Sequence, residues 1–220
     1  ENEHLPPRPL QNNSVETYSD QSFFRVYSYA HGMYDTTSNV VIYGIQGDKK
    51  NGVLTVAVAS TTGTPAENTY INQNLGTTGG TGTGMKVGGY VVNSSNAITA
   101  FTISDPGVGY TAADTLTVTG LNNSASGTFT VSTVGDTLGG IPVAAMNKVF
   151  NSITNYGIDS FACTPDLSSY NLDYSNAVES TIGGGENAFA TTNMYYDVLH
   201  TMIPSLTFKD PPEISIVVPS

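Results

Sequence analysis

The chain has 220 residues, of which only 11% are charged, and its seven Lys and Arg leave a formal net charge of −11. Such an acidic surface repels phosphate backbones, so no nucleic-acid partner is expected. The single cysteine, Cys163, excludes an intrachain disulfide, and no apolar run approaches the ~20 residues of a membrane-spanning helix, so no membrane partner is expected.

The first twenty residues are polar and contain Pro6, Pro7 and Pro9. Prolines this close together favour extended polyproline geometry and prevent a helix from forming. We therefore predict an extended arm over residues 1–20, which packs on a neighbour or leads in from a preceding domain.

Three strand signals follow, each a run rich in β-branched and aromatic residues, at 23–29, 39–45 and 53–59. Turn-forming sequence separates them, including an Asn-Gly pair of the kind that connects hairpin strands. Aromatic side chains are enriched in protein interfaces. Four aromatic residues are therefore candidates for an assembly interface: Phe23, Tyr27, Tyr29 and Tyr34.

The most regular β pattern lies between residues 79 and 136, after a Thr/Gly/Asn-rich stretch at 60–84 that reads as loop or hinge. Short runs of alternating polarity are interrupted by Gly, Asn-Ser and Asp-Pro-Gly, which predicts antiparallel strands near 86–92, 98–104, 115–119 and 127–134. We predict that 79–136 is an inserted, protruding Gly/Thr-rich module, and that 21–78 and 137–220 form one body.

The C-terminal third changes its pattern. Apolar residues at roughly helical spacing predict two helices, at 141–157 and 186–203. An extended run follows Pro211 and Pro212, and we predict a terminal strand that adds to the sheet of another chain through Ile214, Ile216 and Val218. The predicted fold class is therefore mainly β, with antiparallel sheets and two helices near the C-terminus.

Motifs that carry chemistry are absent from the sequence. His4, His31 and His200 have no metal-ligand spacing, and the glycines at 79–84 precede a strand-like run where a phosphate loop requires a helix. We therefore assign no catalytic, metal-binding or cofactor-binding residue and do not expect an enzyme, although a depolymerase with paired carboxylates remains a distant alternative. A binding alternative is that Tyr90 and Tyr110 contact a glycan.

Three segments in order resemble a known family: FFRVYSYAHGMYDTTSNVVIYGI (23–45), GIPVAAMNKVFNSITNYGIDSFAC (140–163) and GGENAFATTNMYYDVLHTMIP (184–204). The set is similar to long virion structural proteins of marine T4-like phages, especially cyanophages. The resemblance covers about half of the chain and brings no catalytic residues. The stretch between Val53 and Gly139 departs from the family pattern, since the Gly-rich module takes its place.

The resemblance implies a non-enzymatic virion structural protein of the tail, baseplate, neck or fibre-attachment region, assembled in the host cytoplasm. Its partners would be copies of itself and other virion proteins. The alternative is a host-surface glycan-binding module, in a phage receptor-binding protein or a bacterial adhesin.

Overall fold

The computed structural model describes residues 8–18, 23–28, 40–154, 157–172 and 180–192. Strands dominate these residues, and every pair of named strands is antiparallel, which confirms the mainly β prediction. In chain order the elements are β1 (Arg8–Pro9), β2 (Val15–Thr17), β3 (Phe24–Tyr27), β4 (Val40–Tyr43), β5 (Lys49–Thr62), β6 (Asn68–Tyr70), β7 (Leu75–Gly79), β8 (Lys86–Val92), β9 (Ile98–Asp105), β10 (Thr115–Thr119), β11 (Ser126–Leu138), β12 (Ile141–Pro142), α1 (Val143–Met146), β13 (Val149–Phe150), β14 (Ser160–Cys163), β15 (Thr181–Gly183) and β16 (Phe189–Thr192).

Two four-stranded sheets form the body of the protein. The front sheet has the order β14-β3-β2-β15, and the back sheet has the order β1-β16-β4-β13. Their inner faces meet in one core, where the Phe24 ring of the front sheet lies 5.5 Å, centroid to centroid, from the Phe150 ring of the back sheet in an edge-on arrangement. The body therefore has the architecture of two packed β layers.

The remaining strands form a third sheet around a second core. Its main order is β12-β11-β10-β7-β8-β6, with β5 paired to β11 and β9 paired to β8. Buried side chains from all of the longer strands fill the interior, among them Val53, Tyr90, Phe101, Leu116 and Phe129. We call this unit the barrel, because the sheet curls until β5 and β9 lie side by side.

Hydrogen bonds at three places close the seam between β5 and β9: at each end and in the middle. At one end the Ile98 N–H donates to Thr61 Oγ1 (2.8 Å), and at the other the Val53 N–H donates to the Pro106 carbonyl (2.8 Å). Between them Asn171 is inserted from the body: its N–H donates to the Leu54 carbonyl (3.0 Å) and its carbonyl accepts from Ile103 N–H (2.6 Å). A residue of the body therefore completes the barrel wall.

The side chain of Asn171 also takes part in closing the barrel wall, because its Oδ1 accepts the Val56 N–H at 2.9 Å. This bond can be removed by mutation without changing the backbone bonds. We expect Asn171→Ala to lower the free energy of unfolding by about 1–2 kcal/mol, because one strand N–H loses its partner. Asn171→Asp keeps an acceptor oxygen and should lose much less. Urea denaturation of both variants measures the difference, and equal losses would contradict the role given to this bond.

Neither predicted C-terminal helix is present in the residues that the structure describes. Within 141–157 the chain forms β12, the single-turn helix α1 and β13. The apolar residues that suggested a helical stripe are buried, but from a strand, a single helical turn and a loop. Ile141 of β12, Ala145 of α1 and Ile153 after β13 all have 5% exposure or less. Backbone pairing with β11 and β4 outweighs a weak helical propensity.

The second predicted helix, 186–203, begins instead with β16. This strand pairs with β1 on one edge and with β4 on the other, so its backbone groups are satisfied by a sheet. Its Thr191 and Thr192 are β-branched residues that favour strands. Positions 193–203 lie outside the described residues, as do 1–7 and 19–20 of the predicted arm and the whole predicted terminal strand.

Both boundaries predicted for the inserted module fall inside strands, β7 and β11. The barrel core begins earlier in the chain, since Val53 in β5 is fully buried in it. At the other end β11 passes from one core to the other: Val131 belongs to the barrel core and Leu138 to the body core. The stretch at 60–84, predicted as loop, contributes the end of β5 as well as β6 and β7.

Candidate functional site

The outer face of the front sheet carries a group of charged, aromatic and apolar side chains that are half-buried or exposed. Buried and less buried positions alternate along β2 and β3, so that Val15 and Val26 point into the core while Glu16 and Arg25 point outward. The same alternation places Ile182 of β15 beside Glu16. We define the front face as the side chains that share this side: Glu16, Tyr18, Phe23, Arg25, Tyr27 and Ile182.

The centre of the front face is a carboxylate shared by two phenols. Tyr18 and Tyr27 both donate their hydroxyls to Glu16 Oε2. The hydrogen bond to Glu16, followed by the one to Tyr18 and by burial, raises the pKa of Tyr27 well above its ordinary value. The Tyr18 ring also contacts Phe23, with centroids 5.4 Å apart. These contacts hold the aromatic side chains in place before any partner arrives.

The front face is partly apolar, and its charges balance. Ile182 is 66% exposed and Tyr27 is 41% exposed. One acid and one base, Glu16 and Arg25, lie opposite each other on neighbouring strands, and Arg25 Nη1 donates to Ser160 Oγ at 3.0 Å. In a chain of net charge −11, this patch has no net charge of its own.

Of the predicted interface residues, the structure brings Phe23 and Tyr27 together on the front face. Tyr29, Tyr34, Ile214, Ile216 and Val218 lie outside the described residues. Glu16, Tyr18 and Ile182 are not among the residues predicted from the sequence. The alternation in the sequence 15–18 could have indicated the first two, but nothing near Ile182 signals that its strand pairs with β2.

The two candidate glycan-binding tyrosines are core residues. Tyr90 is 2% exposed, its ring stacks on Tyr70 at 4.4 Å between centroids, and its hydroxyl accepts the Asn122 N–H at 2.9 Å. Tyr110 is 3% exposed, and its hydroxyl accepts the Met85 N–H. Burial of both rings leaves no ring face for a sugar, so a glycan site requires other residues.

The glycine-rich stretch 79–84 serves the barrel by allowing close packing. A Cβ atom on Gly82 would lie 2.5 Å from the Tyr110 ring, so only glycine fits there. Asp114 fixes the adjacent turn by accepting hydrogen bonds from the N–H and hydroxyl of Thr81 and from the N–H of Thr111. These bonds lower the pKa of Asp114, and its carboxylate at this loop would repel a phosphate.

The chemically reactive groups that the structure describes are few and dispersed. Cys163 is fully buried, and burial raises the pKa of its thiol well above the ordinary value, which makes it a packing residue of the body core. Across the described ranges, no group of three or more His, Cys, Asp or Glu is placed to hold a metal ion. Nor does any described helix have the length and apolarity to cross a membrane.

A polar cleft of about 500 Å³ opens at one end of the body, between the segment after α1 and the segment after β14. Its lining is Ala145, Lys148, Val149, Phe150, Asn151, Ser152, Thr154, Thr164, Asp166, Ser169 and Tyr170. Hydroxyl groups outnumber charged groups, and the two charged residues have opposite signs. This composition suits a small polar ligand that has no net charge.

Comparisons with known proteins add no identification. No family model matches the chain, and no match was found among curated proteins or among solved structures.

Proposed function

We propose that the protein is a non-enzymatic structural component of a phage virion, which assembles with copies of itself and with neighbouring virion proteins. The tail, baseplate, neck or fibre-attachment region is its expected place, and assembly would occur in the host cytoplasm. The observation that carries the assembly role is the front face, where the exposed Ile182 and the half-buried Phe23 lie beside a preorganised tyrosine–carboxylate cluster.

The front face has the composition of an interface core. Tyrosine, phenylalanine and arginine are enriched in such cores, and exposed apolar patches on rigid surfaces mark contact sites. A second copy of the chain is the occupant that fits best. Long-range repulsion between two copies of charge −11 disfavours contact elsewhere, whereas this face offers both Glu16 and Arg25 to their counterparts across a two-fold axis.

The virion setting is supported by the resemblance of segments 23–45, 140–163 and 184–204 to virion structural proteins of marine T4-like phages. In the structure, two of these segments contribute β3, β4, β13 and β14 to the body. Three of the six front-face residues, Phe23, Arg25 and Tyr27, lie in the first of these segments, so the resemblance covers part of the front face.

A single charge placed on the front face, at Ile182 of the edge strand β15, tests the proposal. We expect Ile182→Glu to weaken self-association by about 100-fold, since an unpaired carboxylate buried in an interface costs about 3 kcal/mol. Ile71→Glu is the matched control, because Ile71 is 63% exposed on the barrel and outside the front face. Sedimentation equilibrium of the two variants and the natural chain gives the constants.

Two results would contradict the assembly role. One is a natural chain that stays monomeric at about 100 μM, a concentration at which a specific interface is readily occupied. The other is equal weakening by Ile182→Glu and Ile71→Glu, which would locate the contact away from the front face. Circular dichroism confirms that both variants remain folded.

Recognition of a host-surface glycan is the second candidate function. The observation that favours it is the polar cleft at the end of the body, rather than Tyr90 and Tyr110.

A further inference from the structure

We propose that the cleft beside Tyr170 binds one uncharged sugar unit of a glycan. The proposal rests on the second candidate function and is independent of the assembly role. The volume of about 500 Å³ lies within the range of small-molecule sites, about 300–1,000 Å³.

Most polar side chains of the cleft have free hydrogen-bonding capacity. Apart from Asp166, none of the polar side chains that line the cleft has a hydrogen-bond partner among the described residues. Together they offer ammonium, amide and hydroxyl groups, so the cleft both donates and accepts. Sugar hydroxyls also do both, which makes a polyhydroxylated ligand the natural complement.

Part of the lining is apolar. Ala145 and Phe150 line the cleft with 4% and 7% of their surfaces exposed, and Val149 is 46% exposed. Tyr170 is half-buried and adds an aromatic surface. A pyranose ring has one C–H-rich face and a polar edge, so it can lie on this surface while its hydroxyls reach the walls.

Charge in the cleft selects a neutral sugar over an acidic one. Lys148 supplies the positive charge and Asp166 the negative charge. Asp166 Oδ1 accepts the Ser168 N–H at 2.9 Å, and its bonds to Ser168 lower the pKa of this carboxyl. The pair gives charge-assisted bonds to hydroxyls, while the net charge of −11 repels an anionic ligand.

Titration of the ¹⁵N-labelled chain with neutral trisaccharides (maltotriose, cellotriose and mannotriose) and with trigalacturonate tests the site. We expect at least one neutral trisaccharide to shift the amide signals of Lys148, Ser152 and Tyr170, and trigalacturonate to bind at least about tenfold more weakly. Lys148→Met and Asp166→Asn should each weaken binding by about tenfold, while the matched control Lys86→Met, on the barrel strand β8, should not change it.

Either of two results would overturn the sugar site. No signal shifts with any neutral trisaccharide at about 10 mM would show that the cleft does not take a sugar. Unchanged binding in the Lys148→Met and Asp166→Asn variants would place the ligand elsewhere. Ile182→Glu should leave sugar binding intact, so that failure of the cleft and failure of the front-face assembly are separate results.

Discussion

Gly44→Ala is expected to prevent the body from folding, or to lower its free energy of unfolding by about 4 kcal/mol or more. Gly44 follows β4 with a φ of +79°, and a Cβ atom there would lie 2.0 Å from the carbonyl oxygen of Asn187, just before β16. The carbonyl oxygen of Asn187 is a backbone atom, so it cannot rotate away as a side chain could. The methyl group would therefore separate two paired strands at the centre of the back sheet, which chemical denaturation or loss of soluble protein will report.

Two other glycines separate the causes of this effect. Gly120 has a similar φ of +74° but no atom within 4 Å of a Cβ, so Gly120→Ala measures backbone strain alone, about 1 kcal/mol. Gly76 lies in β7 with open space and no positive φ, so Gly76→Ala should change stability by less than about 1 kcal/mol. If Gly44→Ala resembled Gly120→Ala, the contact with Asn187 would be looser than the structure shows.

Asn147→Ala is expected to lower the free energy of unfolding by about 2–4 kcal/mol. The side chain of Asn147 mimics the backbone of a neighbouring strand, since it satisfies both backbone groups of Ile45. Its Oδ1 accepts the Ile45 N–H at 2.9 Å, and its Nδ2 donates to the Ile45 carbonyl at 3.0 Å. Ile45 is 3% exposed in the body core. Truncation leaves two backbone groups without partners where water has little access, and urea denaturation measures the loss.

The chain offers a close control for this experiment. Asn151 lies four positions later, is exposed, and has no hydrogen-bond partner among the described residues. Asn151→Ala should therefore change stability by less than about 0.5 kcal/mol. Faster amide hydrogen exchange at Ile45 in Asn147→Ala alone would locate the effect. Similar losses in both variants would contradict the strand-mimic role.

Strand positions in the barrel could be predicted from the sequence because their signals are local. Residues 86–92 and 115–119 were predicted as strands and are β8 and β10, and 98–104 differs from β9 by one residue. Each is a β-branched run that ends at turn-forming Gly, Asn or Pro residues within a few positions. The long strands β5 and β11 were predicted too short, since their ends are fixed by pairing with each other.

The candidate sites were less accessible to sequence reasoning. Phe23 and Tyr27 were predicted as interface residues on composition alone, and the structure adds the Glu16 carboxylate that positions Tyr27. Tyr90 and Tyr110 looked available because aromatic residues in a Gly-rich module resemble surface residues. The polar cleft could not be predicted from the sequence, because its lining comes from two separate segments. Their polar residues carry common hydroxyl and amide groups that form no recognisable motif.

The sequence by itself determined the β-rich class, the turns of the barrel, the small fraction of charged residues and the negative net charge. Composition and short-range periodicity encode these features. Only the tertiary structure decided that 141–154 contains two short strands and a single helical turn, and that Ile182 lies beside Glu16. It also decided that Asn171 closes the barrel wall at Val56, 115 positions away in the chain. The physical reason is that strand pairing satisfies backbone groups between distant segments, and no local pattern records which segment will be the partner.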